Sequence, residues 1–365
     1  MSASNIKLGV PPWAAERTQT HGVLRAALVA CSDPMRLFDP DIWTEVTGGS
    51  IAERVRRLVR VTPLIPAPAL GRRAGADVWL KLESLQRTGS FKLRGAAAFV
   101  AGMSQAGKKR VIAASAGNHG LAVALAARSF GVEAQVLVSA QTPQSKRDGI
   151  LAQGAALEVV GASYDEAEAE ARRRAAADPS LTFASAFDDD WVIAGNGGVL
   201  AREILAQLPD VDTVVTPVGG GGLAAGLGVE MVPRGIRVLG VSPEANCAMK
   251  RSLEDGRAYT QYTGGPTLAE GLEGAVSERT FAMAKDYFPE VAVVSEVGIR
   301  QAIVYAYRSL GVVCEASAAV ALAGLLEDKL PVQSRRVVVL VSGGNIESDL
   351  LDQLLGGSSP KKRDG

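Results

Sequence analysis

The chain is predicted to be an α/β protein whose parallel-rich sheets are covered by helices on both faces. Two observations carry that expectation. First, short apolar runs at 111–114, 134–138, 213–217, 238–242 and 337–341 alternate with helical stretches, the pattern of repeated βα units. Second, three of these runs end in Gly-containing polar loops, at 115–120, 219–222 and 342–345. In open α/β sheets, ligands bind beyond the C-terminal ends of the strands, where all three loops would lie. With 365 residues, 47% hydrophobic and 21% charged, the chain has enough apolar material for two lobes with their own cores.

Residues 1–50 read as an N-terminal extension. Pro11-Pro12 blocks regular structure, 21–30 suits a short helix, and Asp39-Pro40 marks a turn. A helix over 51–60 stops before Thr62-Pro63, and a strand over 78–82 leads to the polar loop 88–92 and a helix from Leu93. The strand at 111–114 feeds a helix that Gly131 stops. Strand 134–138 is followed by a helix over 142–152 with Pro143 in its first turn. Strand 157–160 and helix 164–177 come next, with Glu168/Arg172 and Glu170/Arg174 at i,i+4 spacing on a solvated face. A short strand at 182–184 closes this series.

The second series opens with a helix over 190–208 and a strand over 213–217, then the four glycines and an apolar helix to Met231. Strand 238–242, a polar Gly-rich stretch at 256–274 and strand 291–295 follow. Helices at 297–310 and 316–327, strand 337–341 and a helix ending at Leu355 complete it. The tail 356–365 has the composition of a disordered segment.

Charge and cysteine content exclude several roles. Lys plus Arg and Asp plus Glu both number 39, so no basic field argues for nucleic acid or an anionic membrane. Aromatic residues make up only 5%, few for base stacking. Cys31, Cys247 and Cys314 are odd in number and far apart, which suits reduced thiols in a cytoplasm. No early apolar run is long enough to span a membrane.

Lys92 is the candidate catalytic group. It opens an apolar helix beside Phe91, so the helix dipole and the apolar neighbour both disfavour its ammonium form. A lysine pushed toward neutrality is a nucleophile suited to Schiff-base chemistry. Gly219, Gly220, Gly221 and Gly222 sit between a strand and a helix, where bare backbone N–H groups make a phosphate cradle. No Gly-Lys-Ser/Thr follows, so this is not a nucleotide P-loop. Ser115, Ala116, Gly117, Asn118 and His119 form a second helix-opening loop that suits a carboxylate, with Asn118 as a side-chain donor and His119 read as structural when taken alone. Ser342 can face a heteroaromatic nitrogen without giving it a full positive charge.

In combination and in this order, Thr62-Pro63-Leu64, Ser90-Phe91-Lys92-Leu93-Arg94-Gly95, Ser115-Ala116-Gly117-Asn118-His119, Gly219 to Gly222 and Ser342-Gly343-Gly344-Asn345 resemble the fold-type II (tryptophan synthase beta-like) enzymes of pyridoxal 5′-phosphate (PLP). Within them the chain is most similar to the serine/threonine dehydratases, or threonine ammonia-lyases. The resemblance implies two three-layer αβα domains: a large PLP-binding one from 51–107 plus 189–355, and a small one at 108–188. It implies that Lys92 carries the cofactor and moves the Cα proton, and that Phe91 packs at the cofactor. Asn118 would bond the ring hydroxyl, Gly219, Gly220, Gly221 and Gly222 the phosphate, and Ser342 the pyridine nitrogen. Ser115 and the backbone of Ala116, Gly117, Asn118 and His119 would hold the substrate carboxylate. Glu270, where the family usually has Asp, would line the substrate side.

The implied activity is β-elimination from a β-hydroxy or β-substituted L-amino acid, giving a 2-oxo acid and ammonia, by a cytoplasmic homodimer. Ala116 stands where related serine racemases carry a proton-donating Ser, which favours elimination over racemisation. Ser242-Pro243 replaces the usual Glu-Pro, so no metal ligand is assigned, and a need for a monovalent or divalent cation stays open. The alternatives are PLP-dependent β- or γ-replacement of the cysteine synthase or threonine synthase kind, a dinucleotide-binding oxidoreductase using Gly219-x-Gly221-x-x-Ala224, and a non-catalytic amino-acid-binding homologue.

Overall fold

The computed structural model describes residues 37–356, so the expected helix at 21–30 and the tail beyond Gly356 lie outside the described residues. Its first elements are α1 (Pro40–Thr47) and α2 (Ser50–Leu58). Asp39-Pro40, expected as a turn, instead starts α1: the Asp39 side chain accepts from the N–H groups of Asp41 and Ile42, with Pro40 at the first helical position. Trp43 is buried and its indole N–H donates to Glu230 at 2.8 Å, which fastens this segment to the main body.

Then come β1 (Leu64–Pro66), α3 (Pro68–Ala74), β2 (Asp77–Leu82) and α4 (Lys92–Gln105). β3 (Arg110–Ala114), α5 (Asn118–Phe130), β4 (Glu133–Val138), α6 (Gln144–Ala152), β5 (Ala156–Val159), α7 (Tyr164–Ala177) and β6 (Leu181–Phe183) form one alternating series. Their strands make a four-stranded sheet in the order β5-β4-β3-β6, with every pairing parallel.

The rest of the chain supplies α8 (Asp190–Ile193), α9 (Val199–Gln207), β7 (Thr213–Pro217), α10 (Gly222–Met231), β8 (Arg237–Pro243) and α11 (Ala248–Asp255). α12 (Glu278–Tyr287), β9 (Val291–Val294), α13 (Glu296–Leu310), α14 (Ala316–Leu326), β10 (Arg336–Val341) and α15 (Ser348–Leu355) complete it. The six-stranded sheet runs β1-β2-β10-β7-β8-β9 and is parallel except for β1 against β2. The two sheets share a core: Val111, Ala113 and Ala122 belong to the same buried cluster as Leu200, Val214 and Leu223. Cys247 and Cys314 are free and buried; Cys31 lies outside the described residues. No described helix is long and apolar enough to cross a membrane.

The helix expected over 190–208 is broken. Between α8 and α9, Ala194–Gly198 forms one wide π turn. The break follows from close packing. A side chain on Gly197 would collide with the Gly226 backbone, one on Gly195 would lie 2.7 Å from the Arg94 carbonyl oxygen, and Asn196 Oδ1 accepts the Gly95 N–H at 2.8 Å. Sequence periodicity does not register such a turn, because every residue in it is buried. The stretches around 70, 250 and 280 also conceal helices α3, α11 and α12; α12 is announced by a capping box of Ser277 and Thr280.

Beneath α4 lies an ion cluster that is buried except for a partly exposed Glu203. The Arg94 guanidinium donates to both Glu83 oxygens at 2.8 Å and to Glu203 at 2.8 Å and 3.0 Å, and Lys81 binds Glu203 at 2.5 Å. Thr62 joins through its hydroxyl to Glu83 at 2.5 Å, its N–H to Glu203 at 2.8 Å and its carbonyl to Lys81 at 2.8 Å. Burial works to lower the Arg94 pKa, but Glu83 and Glu203 outweigh it and hold the guanidinium above its usual range. Removing one member of such a cluster leaves an uncompensated buried charge. Arg94→Met is therefore expected to cost about 3–5 kcal/mol of stability, read from denaturant unfolding, well above the cost of replacing the exposed Arg56. A loss below about 1 kcal/mol would show that the cluster is not what anchors α4.

Candidate active site

The Lys92 loop is a strip of backbone laid against the loop after β10. Ser90 and Gly343 form an antiparallel bridge, the Phe91 N–H donates to the Ser342 carbonyl at 3.0 Å, and the Gly344 N–H donates to Gly89 at 2.9 Å. Gly89 has φ +74, a conformation that its glycine allows. α4 therefore begins at Lys92 in a fixed place, next to buried Ser342.

The Lys92 ammonium donates to the Ala186 carbonyl at 2.9 Å and lies 5.2 Å from the centre of the Phe91 ring. Desolvation lowers its pKa to about 8, and the nearby Glu315 carboxylate opposes the shift. The neutral form is thus a minority of about one-tenth at pH 7, yet far more abundant than in an ordinary lysine, as a nucleophilic lysine needs.

Asn118, at the start of α5, links three loops. Its Nδ2 donates to Glu315 Oε1 at 2.8 Å, and its Oδ1 accepts from Asn345 Nδ2 at 2.6 Å. Asn345 also donates to the Thr88 carbonyl at 2.8 Å. The side chain expected to be a free donor is thus already held, with one N–H of its amide left over. Burial raises the Glu315 pKa, while Asn118 and Lys92 work against the rise. Glu315 escaped the sequence reading. The only hint there was an acidic residue standing directly before the stretch 316–326, which is apolar except for Ser317.

His119 is buried, with Nε2 3.0 Å from the Ala184 carbonyl. Desolvation, with a smaller contribution from Lys92, lowers its pKa to about 4, so the ring is neutral and acts as a donor to that carbonyl. Ser115 Oγ accepts the Gly117 N–H at 3.2 Å, whereas among the described residues no protein acceptor meets the N–H groups of Ala116, Asn118 and His119. The same holds for Gly219, Gly220 and Gly221 ahead of α10, with Gly221 at φ +90. Glu270 stands apart from this cluster. It is largely exposed on a short turn and pairs with Lys146 of α6 at 2.9 Å.

The structure thus brings together Phe91, Lys92, Ser115, Ala116, Gly117, Asn118, His119 and Ser342, with the glycine loop joined through the segment that holds the lysine amine. Two rows of unspent N–H donors at helix starts suit two anionic groups. The Ser90 and Thr88 hydroxyls beside Lys92 are buried with no partner. A phosphorylated aldehyde and a carboxylate would supply what these donors lack. This environment predicts that an amine-selective acylating reagent modifies Lys92 of the cofactor-free chain with half-maximal reactivity near pH 8. Glu315→Gln removes the charge that raises the Lys92 pKa, so the profile should move to lower pH when followed by mass spectrometry of the labelled peptide. A shift to higher pH would contradict this electrostatic arrangement.

Comparison with known proteins agrees with this geometry. L-threonine ammonia-lyase of Thermotoga maritima is 39% identical over 82% of this chain and 75% of its own. The processed threonine deaminase isoform 2 of Solanum lycopersicum superposes with a TM-score of 0.78 at 32% identity, covering 87% of this chain and 94% of that one. Maize serine racemase superposes with a TM-score of 0.80 at 28% identity, covering 87% and 96%. Residues 55–343 match the family described as pyridoxal-phosphate dependent enzyme, and the chain belongs to that family.

Proposed function

We propose that this enzyme is a PLP-dependent ammonia-lyase that eliminates the β-substituent of an L-amino acid, with L-threonine and L-serine as the first candidates. The observation that carries the reading is the desolvated Lys92 amine, held at 2.9 Å from the Ala186 carbonyl between the Ser342 loop and the start of α5. Kinship to threonine ammonia-lyases over four-fifths of the chain supports the substrate class.

Bound PLP supplies the electron sink for a negative charge at the substrate Cα. In this reading Lys92 holds the cofactor, and its neutral amine takes the Cα proton. The glycine-loop N–H groups bind the phosphate, Phe91 packs on the ring, Asn118 spends its remaining N–H on the ring oxygen, and the Ser342 hydroxyl faces the ring nitrogen. The N–H groups of Ala116, Asn118 and His119 orient the substrate carboxylate. Lys146 and Glu270 close the rim between the two sheets. The division into a large unit of 51–107 with 189–355 and a small unit of 108–188, a homodimeric assembly and a cytoplasmic location complete the proposal.

Replacement chemistry would use the same residues. Elimination is favoured over racemisation because Ala116 has no proton to deliver to the second face of Cα, and the nearby His119 is committed to Ala184. L-threonine or L-serine should yield ammonia and 2-oxo acid with little D-isomer, by coupled assay and chiral chromatography. Borohydride reduction should leave a pyridoxyl label on Lys92, and Lys92→Ala should lose turnover by at least about a thousandfold. D-amino acid formed faster than 2-oxo acid would overturn the lyase reading.

A further inference from the structure

The glycine loop and the lysine are both held by one short segment, 184–190, between β6 and α8. Ala184 O meets His119 Nε2 at 3.0 Å, and Ala186 O accepts from Lys92 Nζ at 2.9 Å. The far end of the segment is staked down. Arg279 donates to Asp188 at 2.7 Å and to Asp190 at 3.0 Å, and Asp189 caps α8 through the Val192 N–H at 3.2 Å.

Between these anchors, Phe187 lies against the glycines. A Cβ on Gly220 would sit 2.7 Å from the Phe187 ring, far inside the distance at which carbon atoms attract, and one on Gly222 would collide with the Phe187 carbonyl. The missing side chains at these two positions therefore make room for Phe187. What remains for a ligand is the row of N–H groups of Gly219, Gly220 and Gly221, which no protein acceptor meets among the described residues.

We propose that Phe187 is a positioning residue for the cofactor phosphate: it fixes the conformation of the Gly219–Gly222 backbone and, through the adjacent Ala186 carbonyl, its spacing from Lys92. The inference rests on reading the glycine loop as the phosphate site. It deepens that reading, because the loop's conformation is assigned to an outside aromatic ring and not to the glycines alone.

The test is a double-mutant cycle on the full chain purified with PLP, using Gly220→Ala, Phe187→Ala and the pair, with Phe187→Leu as the conservative variant. Three readouts are taken: the unfolding midpoint, PLP affinity and the ³¹P resonance of the bound cofactor. Gly220→Ala alone should lower the midpoint and weaken PLP binding roughly tenfold. Phe187→Ala should shift or broaden the ³¹P resonance, and Phe187→Leu should do so less. In the double variant the added methyl fills space the ring has left, so midpoint and affinity should recover to near those of Phe187→Ala.

A double variant no better than Gly220→Ala, or a Gly220→Ala chain indistinguishable from the parent, would overturn the role of Phe187. Recovery of the midpoint with an unchanged ³¹P resonance and PLP affinity in every variant would instead place the phosphate away from this loop. The positioning role would then fall together with the phosphate reading, and the two failures are told apart by which readout stays flat.

Discussion

The Arg94 guanidinium, buried between Glu83 and Glu203, is the constraint on which the site depends. Arg94 lies two residues into the helix that Lys92 opens, and Glu83 directly follows β2 of the large sheet. Clamping Arg94 to both carboxylates fixes the rotation of α4 about its axis, and with it the direction in which Lys92 leaves the helix. Hydrophobic packing would not do this as well. Gly95, Ala96, Ala97, Ala98, Ala101 and Gly102 on the buried surface of α4 carry little side chain with which to index the helix. A planar, multiply hydrogen-bonded guanidinium admits one register. The cluster's desolvation cost is in that sense tied to precision at Lys92, two residues away.

A second constraint is the way three strand ends are tied to one another. The loop after β10 pairs by backbone with the loop before α4, and Asn345 and Asn118 extend that pairing to the start of α5 and to Glu315. Main-chain and amide groups do the holding, so the charged groups, Lys92 and Glu315, are left to interact electrostatically. Each moves the other's pKa against the effect of its own burial. Such opposed shifts are what a site that must move protons near neutrality needs.

Much of this was legible in the sequence, for a physical reason. β7 and the five-residue strand β3 are buried almost throughout, so they read as uninterrupted apolar runs, and the helices after them begin with residues that advertise free N–H groups. Lys92, Asn118, Ser342 and the four glycines stand out as candidates by that grammar. What stayed hidden depends on contacts distant in sequence. The π turn at 194–198 exists because α4 and α10 press on Gly195 and Gly197. Asp39-Pro40 reads as a turn in the sequence because Asp-Pro suits a turn and a helix start equally well. Glu270, which the resemblance puts on the substrate side, pairs with Lys146 at the rim, a contact that no sequence pattern announces.

The glycine loop shows why such contacts matter to functional reading. Four glycines in a row invite the inference that a ligand must approach the backbone, and backbone N–H groups without protein acceptors support it. Yet each of these glycines also faces protein where a side chain would stand: Leu272 at Gly219, Phe187 at Gly220 and Gly222, and Met249 at Gly221. Both demands act on the same atoms. A backbone packed this closely tolerates no Cβ on the packed side, which leaves its N–H groups for the other side. The glycines are therefore a consequence of packing as much as of any ligand approach, and Leu272, Phe187 and Met249 account for their lack of side chains as directly as a bound anion would.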